Sequence, residues 1–312
     1  MPIAAICMSH SPLLEVGDPP PSIVAEIDLA FAQARAFVED YAPDVVVSFA
    51  PDHYNGFFYD LMPQFCIGYE ARGIGDFGSS TQPFDVPRKL AERLASAVIE
   101  GGVDAAVSLD MRVDHGAVQP LEVLFGGPAA VPVVPVFINS VAPPFTPIER
   151  VRRLGELIGA TLADVPERVL VLGSGGLSHD PPVPKLATAT DAQFEMILRG
   201  RNLSVEQRAA RQQRVIDGAK AFSAGTSNIQ DLNPEWDRAF LDICAAGDTS
   251  QFDKMSAKEM AAAAGNSAHE VRTWIAALSA IGANGPYKVT SQYYRPIKEL
   301  IAGFGVITVA SA

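Results

Sequence analysis

The feature that most limits how this chain can fold is the exchange of two hydrophobic periods along its first 180 or so residues. Short apolar runs occur at Ile3–Met8, Asp44–Ala50 (DVVVSFA), Ala105–Leu109, Val131–Ile138 and Arg168–Gly173 (RVLVLG). Their length and β-branched content predict buried strands. Between them, Ser22–Tyr41, Val86–Glu100 and Pro147–Leu162 carry apolar side chains at helical spacing, the second closed by Gly101-Gly102. The alternation predicts an α/β fold with a mostly parallel central sheet flanked by helices. Pro132 and Pro135 offer no N–H to a ladder, which predicts an edge position or a bulge for their strand.

Beyond residue 190 the pattern changes. Thr190–Ala221, Asn233–Ala246, Asp248–Ala264 and Ser267–Leu278 are helical by composition and period, with strand-like pieces at Tyr287–Tyr294 and Gly305–Val309. We expect one domain over residues 1–312, an α/β core to about 180 and a helix-rich C-terminal part from about 190. Tyr54–Pro83 reads as one long loop rich in aromatics and glycine. Loops of that length usually serve a function. Two readings stand: an embellishment with its own small core, or a wall over a planar apolar substrate.

Nearly half of the 312 residues are hydrophobic, enough to bury a sizeable core, and the net charge is −12. That charge repels phosphate backbones, so no nucleic-acid partner is expected. An anionic substrate would need a local Arg or Lys, and Arg72, Arg112, Arg201 and Arg295 are unranked candidates. Cys7, Cys66 and Cys244 are odd in number and widely spaced, which suits a reducing cytoplasm. Cys7 reads as a small buried hydrophobe rather than a nucleophile. Met1–Leu14 has no basic start to a signal peptide, and no apolar run is long enough to span a membrane.

The five histidines carry the chemistry. His10, His53 and His179 each lie just beyond the C-terminal end of a predicted strand. In open α/β sheets that edge binds ligands. Any one of them could be a loop residue satisfied by a carbonyl. Three at one edge point to a metal, because neutral imidazole is the commonest metal ligand. With no thiolate cluster, the site would combine histidine and carboxylate, and two histidines with one carboxylate suit non-haem Fe(II) acting on O2. His115 follows Asp114, which could instead be the N-cap of a surface turn. His269 sits in SAHE, where Ser267 and Glu270 match a capping box. Period alone leaves Glu270 open between cap and ligand. Gly173-Ser174-Gly175-Gly176 is a weak match to a phosphate loop and better suits close approach of the backbone to a ligand.

The ordered set SHSPLL, FAPDHYNGFFYDLMPQFCIG, DHGAVQPL, GSGGLSHDPP and AGNSAHEVRTW, spread from about residue 5 to the end, closely resembles the class III extradiol ring-cleavage dioxygenases. The resemblance implies an oligomeric enzyme that opens a catechol with O2. The expected substrate is 2,3-dihydroxyphenylpropionate or the matching cinnamate, with another catechol as the alternative. It also implies that His10, His53 and Glu270 ligate Fe(II), that His179 is the base taking a catechol proton, and that His115 is the acid. A zinc-dependent hydrolase on the same kind of fold is the rival reading.

Overall fold

The computed structural model describes residues 3–312; Met1 and Pro2, the first residues of the stretch judged to lack a signal peptide, lie outside the described residues. In chain order the elements are β1 (Ala4–Met8), α1 (Pro21–Tyr41), β2 (Val45–Ala50), β3 (Phe65–Gly68), β4 (Ala71–Gly73), α2 (Arg88–Glu100) and β5 (Ala106–Ser108). Next come β6 (Met111–Val113), α3 (His115–Phe125), β7 (Val133–Ile138), α4 (Ile148–Leu162), β8 (Val169–Ser174), α5 (Asp191–Arg199) and α6 (Val205–Ser223). The chain ends with α7 (Pro234–Ala246), α8 (Ala257–Ala264), α9 (Val271–Gly282), β9 (Tyr287–Ile297) and β10 (Ala302–Ser311).

The large sheet has eight strands in the order β5-β3-β7-β2-β8-β1-β10-β9. Its strands alternate between two cores, as the period of two requires. Ala5, Cys7, Val45 and Val47 face α2, α4 and α9, whereas Ala4, Ile6 and Val46 face α1 and α3. Helix α9 is buried on every side through Ile281, which fits its apolar composition.

The expectation of a mostly parallel sheet is corrected: the sheet is mixed. Pairs β5–β3, β7–β2, β2–β8 and β8–β1 are parallel, while β3–β7, β1–β10 and β10–β9 are antiparallel. A short turn at Lys298–Leu300 joins β9 to β10, and so short a connection makes only an antiparallel pair. The helix-rich C-terminal part therefore also completes the sheet, through β10 on β1.

The edge position predicted for Val131–Ile138 is likewise corrected, since β7 lies between β3 and β2. Pro132 precedes the strand, and Pro135 is tolerated for a reason of parity. Val46 N–H donates to Pro132 O, so even positions of β7 bond to β2 and odd positions, Pro135 among them, face β3. Pairing with β3 ends at Ile67↔Val136, so no N–H is required of Pro135. Gly68 leaves room for the proline ring, because a Cβ there would lie 2.8 Å from Pro135 Cγ. Nor is Tyr54–Pro83 a single loop, for it contains β3 and β4. The helix expected over Thr190–Ala221 is two, broken at Gly200–Asn202, with capping boxes at Thr190/Gln193 and Ser204/Gln207.

Helix α9 is set in place by α4. A Cβ on Gly155 would lie 2.2 Å from Ala276 O, and one on Gly159 would lie 2.0 Å from Ala280 O. These glycines let two helix backbones touch. Gly159→Ala is expected to cost about 1–3 kcal/mol through overpacking, read as a lower urea midpoint. An unchanged midpoint would show that the two helices can separate without loss.

Candidate metal and catalytic site

Strands β2, β8 and β1 are adjacent and parallel, so their C-terminal ends open on one edge. His10 follows β1, His53 follows β2, and His179 lies in the turn after β8. Across that edge stand the N-terminus of α3, with His115, and the residue before α9, Glu270. The structure brings all five together. Glu270 Oε1 lies 3.0 Å from His53 Nε2 and 3.0 Å from His179 Nε2, and Oε2 lies 3.5 Å from His10 Nε2. The His115 ring stacks on His53 at 4.8 Å and meets His10 edge-on at 5.4 Å. His269 is not part of the group. It is buried against Phe145, and burial followed by the nearby Arg272 lowers its pKa to about 3.

Each of the four site rings is tied at Nδ1. His53 Nδ1 lies 2.9 Å from Asp114 Oδ2, His115 Nδ1 lies 2.5 Å from Asp76 Oδ2, and His179 Nδ1 lies 2.7 Å from Leu177 O. These partners are acceptors, so Nδ1 carries a proton in each ring and Nε2 is the atom left to face the site. At His10 the tautomer depends on Pro120. With no N–H, Pro120 leaves Gly116 O without its helical donor. Ser174 Oγ donates to that carbonyl instead, at 2.5 Å, and so can only accept from His10 Nδ1, 2.9 Å away. One proline in DHGAVQP thus fixes the tautomer of a histidine 110 positions earlier, counting 120 minus 10.

The result is a set of Nε2 lone pairs turned toward a carboxylate. Acceptors that face one another at 3.0 Å must share a proton or a cation. Imidazoles anchored at the far nitrogen by a carboxylate, hydroxyl or carbonyl are the usual setting of metal-bound histidine. The donor set therefore fits a metal ion. Burial outweighs the opposing charge of Glu270 and takes His10 down to about 3, so it is a neutral donor near pH 7. Burial alone would raise Glu270, but His179 and His10 outweigh it and hold the carboxyl well below its ordinary range. Burial would likewise lower His53, but Asp114 and Glu270 prevail and raise it.

Glu270 shows which of its two sequence readings holds. The expected capping box does not form, because Asn266–Glu270 winds as a 3₁₀ turn and no side chain caps α9. Instead Gly176 N–H donates to Glu270 Oε2 at 2.9 Å. The glycines after β8 serve this approach, since a Cβ on Gly175 would lie 2.6 Å from Glu270 O and one on Gly176 would lie 2.9 Å from His179 Cε1. They admit protein groups rather than a phosphate.

Sequence reasoning missed Asp76. Asp114 is an N-cap, accepting from Gly116 N–H at 3.0 Å, but it is fully buried and serves His53, while His115 turns to Asp76. Left-handed backbone at Gly75, Phe77 and Gly78 makes the turn that presents Asp76 to His115. The only readable signal was GIGDFG inside the aromatic segment. As for the wall that segment was expected to form, Phe77 lines the cavity above the histidines, whereas Phe57 stacks on Phe137 at 3.8 Å and Phe58 lies in a separate buried cluster. One aromatic of the segment thus faces the cavity, while others pack into the cores around it.

The cavity measures about 200 Å³ and is walled by Pro181, Pro182, Val183, Met196 and Ile301. Its arginines are Arg208, Arg211 and Arg214 of α6. The four expected from the sequence lie elsewhere: Arg72 and Arg112 pair with Asp110, Arg201 with Asp60, and Arg295 with Glu26. Among the described residues no helix is long and apolar enough to cross a membrane. Cys7 is buried, as expected, and burial pushes its thiol pKa up.

The chain is 56% identical over 305 residues to a Rhodococcus globerulus protein named 2,3-dihydroxyphenylpropionate/2,3-dihydroxicinnamic acid 1,2-dioxygenase, covering 98% of this chain and 97% of that one. A Rhodococcus rhodochrous protein of the same name is 57% identical, with 99% and 98% covered. One from Mycolicibacterium paratuberculosis is 53% identical, with 99% of each covered. Residues 4–305 match the family described as the catalytic LigB subunit of aromatic ring-opening dioxygenase. A match over nearly the whole chain, together with a histidine and carboxylate centre beneath an apolar cavity, makes this chain a member of that ring-opening dioxygenase family.

Proposed function

We propose that this chain is an Fe(II)-dependent extradiol dioxygenase acting on 2,3-dihydroxyphenylpropionate and 2,3-dihydroxycinnamate. One observation carries the reading: His10 and His53 turn Nε2 lone pairs to Glu270 at the floor of a cavity that also holds two further histidines. His10, His53 and Glu270 would hold the iron, a two-histidine, one-carboxylate set that leaves coordination positions open. Bound iron would supply the one-electron chemistry that side chains lack. The helix-rich part and the α/β part act as one domain in this reading, because β10 pairs with the strand leading to His10 and α9 follows Glu270.

The chain's own groups do the rest. The proline and aliphatic walls exclude water and hold the flat ring of the substrate. His179, with Nδ1–H fixed on Leu177 O, turns Nε2 inward and takes the proton of a catechol hydroxyl. His115, fixed by Asp76, has only Nε2 free to exchange a proton; protonated there as well, it would deliver that proton to oxygen as the ring opens and return to the neutral Nδ1–H form. Asp114 and Ser174 hold the two ligand imidazoles in the tautomer the metal needs.

Anaerobic loading with Fe(II), and separately with Zn(II), followed by O2 and a panel of catechols tests the proposal. The expected result is O2 uptake and a yellow, pH-sensitive ring-fission product with iron alone. Full iron occupancy with no O2 uptake on any catechol would overturn it, as would hydrolysis of an ester by the zinc form.

A further inference from the structure

The acidic chain attracts no anion in general, and the floor of the cavity is itself acidic, with Glu270 and Asp76. A substrate bearing a carboxylate therefore needs a cation at a fixed place in the wall. Helix α6 carries Arg208, Arg211, Gln212 and Val215 at helical spacing, and all four line the cavity, so one face of this helix forms that wall. Its arginines are in different states. Arg211 is committed to the loop of His53: Nη1 donates to Tyr54 O at 2.8 Å and to Asn55 Oδ1 at 3.1 Å, and Nη2 donates to His53 O. Arg208 is half-buried, and its guanidinium has no hydrogen bond or ion pair among the described residues. The arginines first expected to bind an anion are each paired with an acid. Arg214 also lines the cavity, but it is exposed and lies off the Arg208–Arg211–Val215 stripe.

We propose that Arg208 is the specificity residue that binds the side-chain carboxylate of the catechol. The planar guanidinium matches a carboxylate in two parallel hydrogen bonds. The inference rests on the function proposed above and adds which residue selects an acidic substrate over a neutral one.

The test compares Arg208→Gln, Arg208→Lys and Arg214→Gln with the unaltered chain on 2,3-dihydroxyphenylpropionate and on neutral 3-propylcatechol. Arg208→Gln should lower kcat/KM for the acid by roughly 10–100-fold, mostly through KM, the worth of a hydrogen bond to a charged group. It should alter the neutral substrate by less than about twofold, and Arg208→Lys should recover part of the loss. Arg214→Gln should leave the ratio of the two substrates near that of the unaltered chain. Equal losses on both substrates, or a loss carried by Arg214 instead, would overturn the proposal. A readout without turnover separates it from the enzyme reading: 3-phenylpropionate, which has the side chain but no ring hydroxyls, should bind the iron-loaded protein and lose that binding in Arg208→Gln. Binding that is unchanged in Arg208→Gln sinks the inference, whereas failure of the unaltered chain to cleave any catechol sinks the enzyme reading.

Discussion

Glu270→Ala is expected to leave a folded protein that retains no iron through gel filtration and turns over no catechol. The carboxylate is buried and stands within 3.5 Å of three Nε2 atoms. Its removal takes away the one anionic member of the proposed ligand set. Even partners that merely hydrogen-bond to ligands are worth about 10–100-fold in metal affinity, so loss of a ligand should cost at least ~10²-fold. Glu270→Gln keeps the volume and one acceptor oxygen but not the charge, and should retain a weaker metal. Iron per chain, with circular dichroism as the control for folding, measures both. The geometry supplies a sharp rival: His10, His53 and His115 also have ligand atoms within 4.8 Å of one another. Stoichiometric iron in Glu270→Ala would put the metal among those three histidines.

The extent to which this site could be read in advance follows from what kind of signal each residue leaves. His10, His53 and His179 were legible because a strand end is a local pattern, and adjacent parallel strands bring their ends to one edge. Glu270 was ambiguous because SAHE satisfies the rule for a cap, and only the 3₁₀ winding of Asn266–Glu270 turns its side chain inward. Asp76 left no signal at His115, because their pairing across 39 positions depends on a left-handed turn. The arginines of α6 were passed over because VEQRAARQQRVIDG carries few apolar side chains, so no strong stripe marks the side that meets the cavity. Strand direction was illegible for a simple reason: a period of two is the same in parallel and antiparallel pairs. Hence the direction of β9 and β10 could be misjudged, whereas β3, four residues long, was hidden in a segment read as one loop.

The two remaining site histidines should fail in different ways. His115→Gln and His179→Gln are each expected to keep iron and to lose roughly 10²–10⁴ in kcat, the usual worth of a positioned proton-transfer group. Retention of iron follows from their place: the ligand set proposed here needs neither, and both rings are held by protein groups, Asp76 Oδ2 at 2.5 Å and Leu177 O at 2.7 Å. What each loss removes is distinct. His179 turns Nε2 toward Glu270, and in this reading that atom, when unprotonated, accepts a proton from the arriving catechol. A substrate that has already ionised in solution needs no such base, and activity of His179→Gln should climb as pH rises toward the ionisation of the catechol. His115 supplies a proton as the ring opens, a need that ionised substrate does not remove, and His115→Gln should show no such climb. Profiles of rate against pH for both variants at equal iron content separate the roles. Superimposable profiles would show that base and acid have been misassigned, and iron loss in His115→Gln would return the metal to the three-histidine set.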